Sequence, residues 1–138
     1  MPSSHESRIT HVANELIGNG NLTIINDAFS ADYVAHASGK QHRGQAFLKR
    51  FSGQLRASLP DLSVERLRFL SETGATIVWQ RTLSGTHEVD MQGIPASGKK
   101  VTWNDMVVTR FEGEQIAEEW IVSELMGELL LKASQPTS

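Results

Sequence analysis

The sequence predicts a single α+β domain, with helices in its first 60 residues and an antiparallel sheet after them. Up to Pro60, apolar residues recur every three to four positions, which is the period of a helix with one buried face. After Pro60, four segments are rich in β-branched and aromatic residues, with turn residues between them. A chain of 138 residues with 39% hydrophobic content is long enough for one core. We therefore expect one domain over 1–132 and a flexible tail over 133–138.

Each predicted helix has a start signal or a stop signal. Ser3 and Glu6 form a capping box before the first helix, which ends at Gly18-Asn19-Gly20. A second, short helix is predicted over 21–29, and a third over 44–59, ahead of Pro60. The residues expected to be buried on these helices are Ile9, Val12, Ala13, Leu16 and Ile17, then Leu22, Ile25 and Phe29, then Phe47, Phe51, Leu55 and Leu59.

The predicted strands follow in sequence. A brief strand at 33–36 precedes the third helix, and the long strands are predicted over 62–70, 75–89, 100–111 and 115–124. The segment 125–132 fits either a strand extension or a short helix, and the sequence does not decide between them.

Two acidic residues lie on the apolar faces of the last two predicted strands. Asp105 and Glu119 each lie an even number of residues from positions expected to be buried, so each shares the buried face of its strand. If Phe111 pairs with Gln115, Val107 lies opposite Glu119, and the two carboxylates become diagonal neighbours about 7–8 Å apart. Carboxylates among apolar side chains are costly to bury unless they are paired or used. We therefore regard Asp105 and Glu119 as candidate catalytic residues.

Composition and charge exclude several other classes of function. The absence of Cys excludes disulfides, a thiolate nucleophile and cysteine-based metal sites. A net charge of −3 argues against nucleic acid or anionic lipid as a partner, and no apolar run approaches the about 18 residues of a membrane span. Residues 1–7 lack the features of a secretion signal, so we expect a cytoplasmic protein. His87, Glu88 and Asp90 cannot converge on one metal ion, because adjacent strand residues face opposite sides.

Three motifs, taken in order, resemble those of the SnoaL-like polyketide cyclases and ester cyclases, within the nuclear transport factor 2-like superfamily. They are Gly85-Thr86-His87, then Gly93-Ile94-Pro95-Ala96-Ser97-Gly98-Lys99, then Gly113-Glu114-Gln115-Ile116-Ala117-Glu118-Glu119-Trp120. The resemblance extends over about residues 6–130 and includes the early strand at 33–36. It implies a curved antiparallel sheet and three N-terminal helices that enclose a cone-shaped pocket.

The resemblance also implies a reaction. Such cyclases are cofactor-free homodimers that close a ring of an aromatic polyketide by intramolecular aldol condensation. Their acid/base carboxylate immediately precedes the strand Trp, the position that Glu119 holds here. Cyclases carry a histidine near the site of Val107, so another residue would donate the proton here. The candidate donors are Asp105, Asn104, His87 and His36.

The remaining candidates would bind the substrate or serve structural roles. The expected pocket residues are Trp103, Trp79, Arg81, Val107, Tyr33 and Ile121. Arg81 is either a pocket cation or the ion-pair partner of Asp105. Alternatives on the same scaffold are a cofactor-free hydroxylase, an enzyme similar to epoxide hydrolases that uses Asp105, Arg81 and Glu119, and a non-catalytic module for small-molecule binding or dimerisation.

Overall fold

The computed structural model describes residues 2–135 and arranges six strands and four α-helices in the following order. Helix α1 spans Ser4–Val12 and continues as a π-helical segment over Ala13–Gly18, and a 3₁₀ turn at Leu22–Ile24 leads into α2 at Ile25–Ala28. Strands β1 (Phe29–Ala37) and β2 (Lys40–Arg43) precede helix α3 (Ala46–Ser58). Then come β3 (Ser63–Thr73), β4 (Thr76–Thr86), β5 (Lys100–Glu112), β6 (Gln115–Ser123) and α4 (Leu125–Ser134).

The strands form one curved, unclosed sheet in the order β2-β1-β6-β5-β4-β3. The predicted α+β fold is therefore confirmed. One pairing departs from the expected antiparallel arrangement, because β1 and β6 run parallel while the other four pairings are antiparallel. The meander β3–β6 brings its last strand back beside β1, and an even number of chain reversals between β1 and β6 leaves these two strands pointing the same way.

The helix boundaries follow the capping signals closely. Ser3 and Glu6 form the expected capping box at α1, and the predicted stripe on that helix is buried. The prediction for Leu22 was wrong, since this side chain is 43% exposed on the 3₁₀ turn. The undecided segment after β6 is the helix α4, which buries Leu125 and Leu129. This helix includes the first two residues of the expected tail, and 136–138 lie outside the described residues.

The predicted register of the last hairpin was wrong by one residue at the turn and by two residues beyond Ala117. A two-residue turn at Gly113-Glu114 pairs Glu112 with Gln115, and Phe111 pairs with Ile116. The ladder then skips Ala117, which forms a bulge on β6. As a result Glu119 lies opposite Thr109 rather than Val107, and Asp105 lies opposite Ser123. A shift of two leaves the side chains beyond the bulge on their expected faces, whereas Ile116, before the bulge, is buried on the same face as Glu119.

The core divides into two clusters on the face of the sheet that the helices cover. One joins α1 and α3 to β1, β4 and β5 through Ile9, Leu48, Tyr33, Trp79 and Val107. The other lies toward α4 and contains Leu59, Leu83, Val101, Trp103 and Leu129. Within 2–135, each helix is too short or too polar to cross a membrane.

The first of the three sequence motifs has a packing role. A Cβ added to Gly85 would lie 2.9 Å from Leu59 Cβ, so only glycine lets β4 approach the end of α3 this closely. Thr86 donates hydrogen bonds from its backbone N and its Oγ1 to the Asp61 carboxylate, at 2.6 and 2.8 Å. His87 follows with its side chain fully buried. This motif therefore fixes the junction between α3 and the sheet.

Candidate functional site

Glu119 lies at the centre of the sheet and is held by two neighbouring strands. Its side chain is only 6% exposed, and it is flanked by Ala35 of β1 and Thr109 of β5. The Tyr33 hydroxyl donates to Glu119 Oε1 at 2.9 Å, and Thr109 Oγ1 donates to Oε2 at 2.6 Å. Trp79 Nε1 donates to Thr109 Oγ1 at 2.8 Å, which orients that hydroxyl toward the carboxylate. Both carboxylate oxygens are thus fixed in place.

Burial sets the proton affinity of this group. Loss of solvation raises the pKa of Glu119 above the ordinary 4.5, although the hydrogen bond from Thr109, the charge of Arg81 and the hydrogen bond from Tyr33 each lower it in part. Burial, together with the charge of Glu119, raises the pKa of Tyr33 well above 10. Tyr33 therefore stays protonated at neutral pH and donates to a carboxylate that is more basic than an exposed one.

Glu119 borders a small apolar cavity, the inner cavity, which is enclosed by α1, α3 and the sheet. Its volume is about 30 Å³, enough for about one water molecule. Apart from Glu119, Tyr33 and Arg81, the walls are apolar. They include Ile9, Leu16, Phe29, Phe47, Phe51, Trp79 and Ile121.

A much larger open cleft lies beyond this cavity. It has a volume of about 1110 Å³ and runs between the β1–β2 turn, α3, the end of β6 and the start of α4. Phe47, Phe51 and Ile121 line both spaces and so separate the cleft from the inner cavity. A small molecule in the cleft would reach Glu119 by displacing these side chains.

Asp105 and Arg81 form a buried ion pair between the two spaces. They lie directly opposite each other on β5 and β4, and Arg81 Nε donates to Asp105 Oδ2 at 2.7 Å. The two residues are 2% and 5% exposed, respectively. Asp105 lines the cleft and Arg81 lines the inner cavity. The register shift therefore sets apart the two carboxylates that were expected to be diagonal neighbours. Arg81 interacts with both of them, since it donates to Asp105 and its positive charge lowers the pKa of Glu119.

The other predicted donors lie away from the inner cavity. His36 borders the cleft, where its Nε2 lies 2.7 Å from Glu118 Oε2 and its ring stacks on Trp120. His87 is buried after β4 and lines neither space. Asn104 Oδ1 accepts a hydrogen bond from Thr82 Oγ1 at 2.6 Å. The structure thus brings none of these three residues to the cavity that contains Glu119.

The predicted substrate-binding residues divide into two groups. Tyr33, Trp79, Arg81 and Ile121 line the inner cavity, as expected of pocket residues. Trp103 and Val107 line neither space: Trp103 packs in the cluster near α4, and Val107 packs beside Ile121, its partner on β6. Both share the face of Asp105, but core side chains fill their surroundings.

Sequence reasoning missed Thr109, Phe47 and Phe51 as site residues. Thr109 is fully buried in β5, two positions from Val107, so strict alternation would have placed it on the pocket face. The two phenylalanines have a purely helical spacing, which indicates burial but not a cavity wall. Within 2–135, no three His, Asp or Glu side chains lie close enough together to bind a metal ion.

Comparison with known proteins places the chain among proteins of this architecture. A family model for SnoaL-like polyketide cyclases matches residues 7–130. No curated protein sequence matches the chain. The solved structures similar to it include a candidate polyketide cyclase from Acidithiobacillus ferrooxidans, with a TM-score of 0.81 and 21% identity over 95% of each chain.

Two further structures come from Streptomyces species. AclR, a candidate hydroxylase from Streptomyces galilaeus, has a TM-score of 0.73 and 20% identity over 96% of this chain and 89% of its own. IdmH, a candidate polyketide cyclase from Streptomyces antibioticus, has a TM-score of 0.71 and 20% identity over 94% and 97%. At these identities the similarity establishes the shared fold, and chemistry has to be argued from the site.

Proposed function

The chain belongs to the SnoaL-like polyketide cyclase family, and on that basis we propose that it is a cofactor-independent enzyme that acts on a hydrophobic, polyketide-like molecule with Glu119 as its acid/base. The observation that supports this most is a buried carboxylate of raised pKa beside an apolar cavity. A base is most effective when its pKa lies near the working pH, and burial moves Glu119 in that direction.

The proposed reaction is the ring-closing addition step of an intramolecular aldol condensation. Glu119 removes a proton from a carbon that lies between two carbonyl groups, and the electron pair of that C–H bond forms an enolate. The enolate carbon attacks a further carbonyl of the same molecule, so that a C–C bond forms and the π electrons of that carbonyl move to its oxygen, which becomes an alkoxide. Glu119 then returns its proton to the alkoxide oxygen, and no atom or electron is left over.

The proposed binding mode uses both spaces. The body of the substrate occupies the cleft, whose volume suits a molecule of several rings. Its reacting carbon passes Phe47, Phe51 and Ile121 into the inner cavity, where Glu119 is exposed to it. Because the carbon acid is already activated by two carbonyls, the proposal requires neither a metal nor an organic cofactor. We place the activity in the cytoplasm as part of the same proposal.

Deuterium exchange into a simple carbon acid tests this function without knowledge of the natural substrate. We expect the protein to accelerate exchange of the acidic C–H of ethyl benzoylacetate, measured by NMR in deuterated buffer against buffer alone. Only ionised Glu119 can accept a proton, so the catalysed rate should rise with pH through a pKa above 4.5 and then level off. A rate equal to that of buffer at every pH contradicts the proposal.

A cofactor-free hydroxylase is the main alternative, because AclR, which shares this fold, is itself a candidate hydroxylase. The two functions differ in their co-reactant, because hydroxylation consumes dissolved oxygen and aldol condensation does not. Oxygen uptake measured with an electrode during turnover of a reduced aromatic substrate would favour the hydroxylase.

We also propose that two copies of the chain pair through the outer face of the sheet. Met106, Trp120 and Val122 place exposed apolar side chains together on that face, where Trp120 and Val122 also form the rim of the cleft, and Val122 is 72% exposed. Arg110 and Glu118 on the same face offer both signs of charge, which suits a two-fold contact.

We expect sedimentation equilibrium to give a dimer mass, and Val122→Lys to give a monomer. Leu70→Lys, on β3 at the far edge of the sheet, should leave the dimer intact; a monomeric wild-type protein would contradict the proposal.

A further inference from the structure

The ion pair between Arg81 and Asp105 has two atoms without partners. Arg81 Nη2 and Asp105 Oδ1 are both buried, and neither makes a hydrogen bond within the described part of the chain. Buried polar atoms are almost always paired, because leaving one unpaired costs about 1–3 kcal/mol. An unpartnered donor and an unpartnered acceptor on adjacent side chains therefore require an explanation.

The position of the pair suggests that its partner comes from outside the protein. Asp105 lines the open cleft and Arg81 lines the inner cavity, so the pair lies where a molecule would pass from one space to the other. The Arg81 guanidinium carbon lies 5.5 Å from the centre of the Phe51 ring and 5.6 Å from that of Trp79. These rings and the bond to Asp105 hold the guanidinium in place.

We propose that Arg81 and Asp105 recognise an enolised β-dicarbonyl group on the substrate. The carboxylate oxygen Oδ1 can only accept, so its partner must be a donor such as a hydroxyl, and Nη2 can only donate, so its partner must be an acceptor such as a carbonyl oxygen. The enol form of a β-dicarbonyl carries a hydroxyl and a carbonyl oxygen side by side on one conjugated plane, and binding would exchange the hydrogen bond between them for one hydrogen bond to each protein atom. Both hydrogen bonds involve a charged protein group, which makes them stronger than neutral ones.

This inference rests on the proposed function for the direction in which the substrate enters, and it specifies the substrate class. A molecule bound by its enolised dicarbonyl at this pair would present its neighbouring carbons to Phe47, Phe51 and the inner cavity. Arg81 and Asp105 are thus specificity-determining residues, distinct in role from the acid/base Glu119.

The test compares two ligands that differ in one hydroxyl. Dibenzoylmethane exists largely as an enol, and chalcone has the same skeleton without the enol hydroxyl. Calorimetric titration at pH 7 should show that the wild-type protein binds dibenzoylmethane about tenfold to a hundredfold more tightly than chalcone. The chain has no Cys, so conjugate addition of a thiol to chalcone does not interfere.

Two variants assign the preference to the pair. Asp105→Asn places an amide donor where Oδ1 accepts, so the preference should disappear while the shape of the side chain is kept. The double variant Arg81→Met with Asp105→Leu removes both free atoms and should bind the two ligands alike. Equal affinity of the wild-type protein for the two ligands, no measurable binding of the enol, or an unchanged preference in both variants would overturn the inference.

Glu119→Gln separates this inference from the proposed function. The variant lacks the acid/base but retains the pair, so it should keep the preference for dibenzoylmethane. If exchange activity survives in this variant while the ligand preference holds, the proposed function fails and the recognition role stands. If exchange is lost but the wild-type protein shows no preference, the recognition role fails alone.

Discussion

Replacing Glu119 with Gln should reduce the catalysed exchange of the ethyl benzoylacetate proton by about 10²–10⁴-fold, the usual contribution of a positioned acid or base. Glutamine has nearly the same shape, and its Oε1 can still accept from Tyr33. It cannot take up a proton at neutral pH, however. The change therefore removes the proposed chemistry and keeps the packing of the inner cavity.

The neighbouring residue provides a matched control for this prediction. Glu118 lies on the opposite face of β6 and pairs with His36 and Arg110, so Glu118→Gln makes the same chemical change outside the cavity. We expect its exchange rate to stay within a few-fold of wild type. A loss of activity in Glu118→Gln as large as that in Glu119→Gln, or full activity in Glu119→Gln, would show that the acid/base has been assigned wrongly.

Thr109 offers a second way to examine Glu119 through its pKa. The hydrogen bond from Thr109 Oγ1 lowers the pKa of Glu119, partly offsetting the effect of burial. In Thr109→Val that hydrogen bond is absent, so the pKa should rise further and the rising limb of the pH–rate profile should move to higher pH. A profile that does not move would mean that the rising limb reflects the ionisation of a group other than Glu119.

The architecture was accessible from the sequence because it depends on local signals. The capping box at Ser3, the helical spacing before Pro60 and the alternation after it each reflect the immediate neighbourhood of a residue. The parallel pairing of β1 with β6 is different, since it joins segments about 80 residues apart in the chain. No periodicity within either strand records that contact.

The candidate site was only partly predictable, for the same reason. Alternation placed Glu119 and Asp105 on the correct face. It cannot detect a two-residue shift in strand pairing, because such a shift leaves each side chain on the same face. The bulge at Ala117 changed which residues lie opposite Glu119. Thr109 became its partner in place of Val107. Trp103 shares that face as well, yet helix α4 covers its end of the sheet, and whether 125–132 was a helix could not be decided from the sequence.

Replacing Arg81 with Met should lower the free energy of unfolding by about 3–5 kcal/mol, the usual cost of leaving one member of a buried ion pair without the other. The Asp105 carboxylate would stay 2% exposed and would have lost the hydrogen bond from Nε. Urea denaturation at pH 7 measures the change. A loss below about 1 kcal/mol would place the pair in the range of exposed surface ion pairs and contradict the buried geometry.

The double variant Arg81→Met with Asp105→Leu shows whether the pair is there for stability. Buried ion pairs replaced by apolar residues of similar size often leave a protein as stable as before, or more stable. If the double variant recovers most of the free energy lost by Arg81→Met, the pair contributes little net stability. Two charged side chains with two unpaired atoms in the interior would then be better explained by what they bind. If the double variant is as unstable as the single one, the pair is needed for folding, and its contribution to stability is enough to explain its burial.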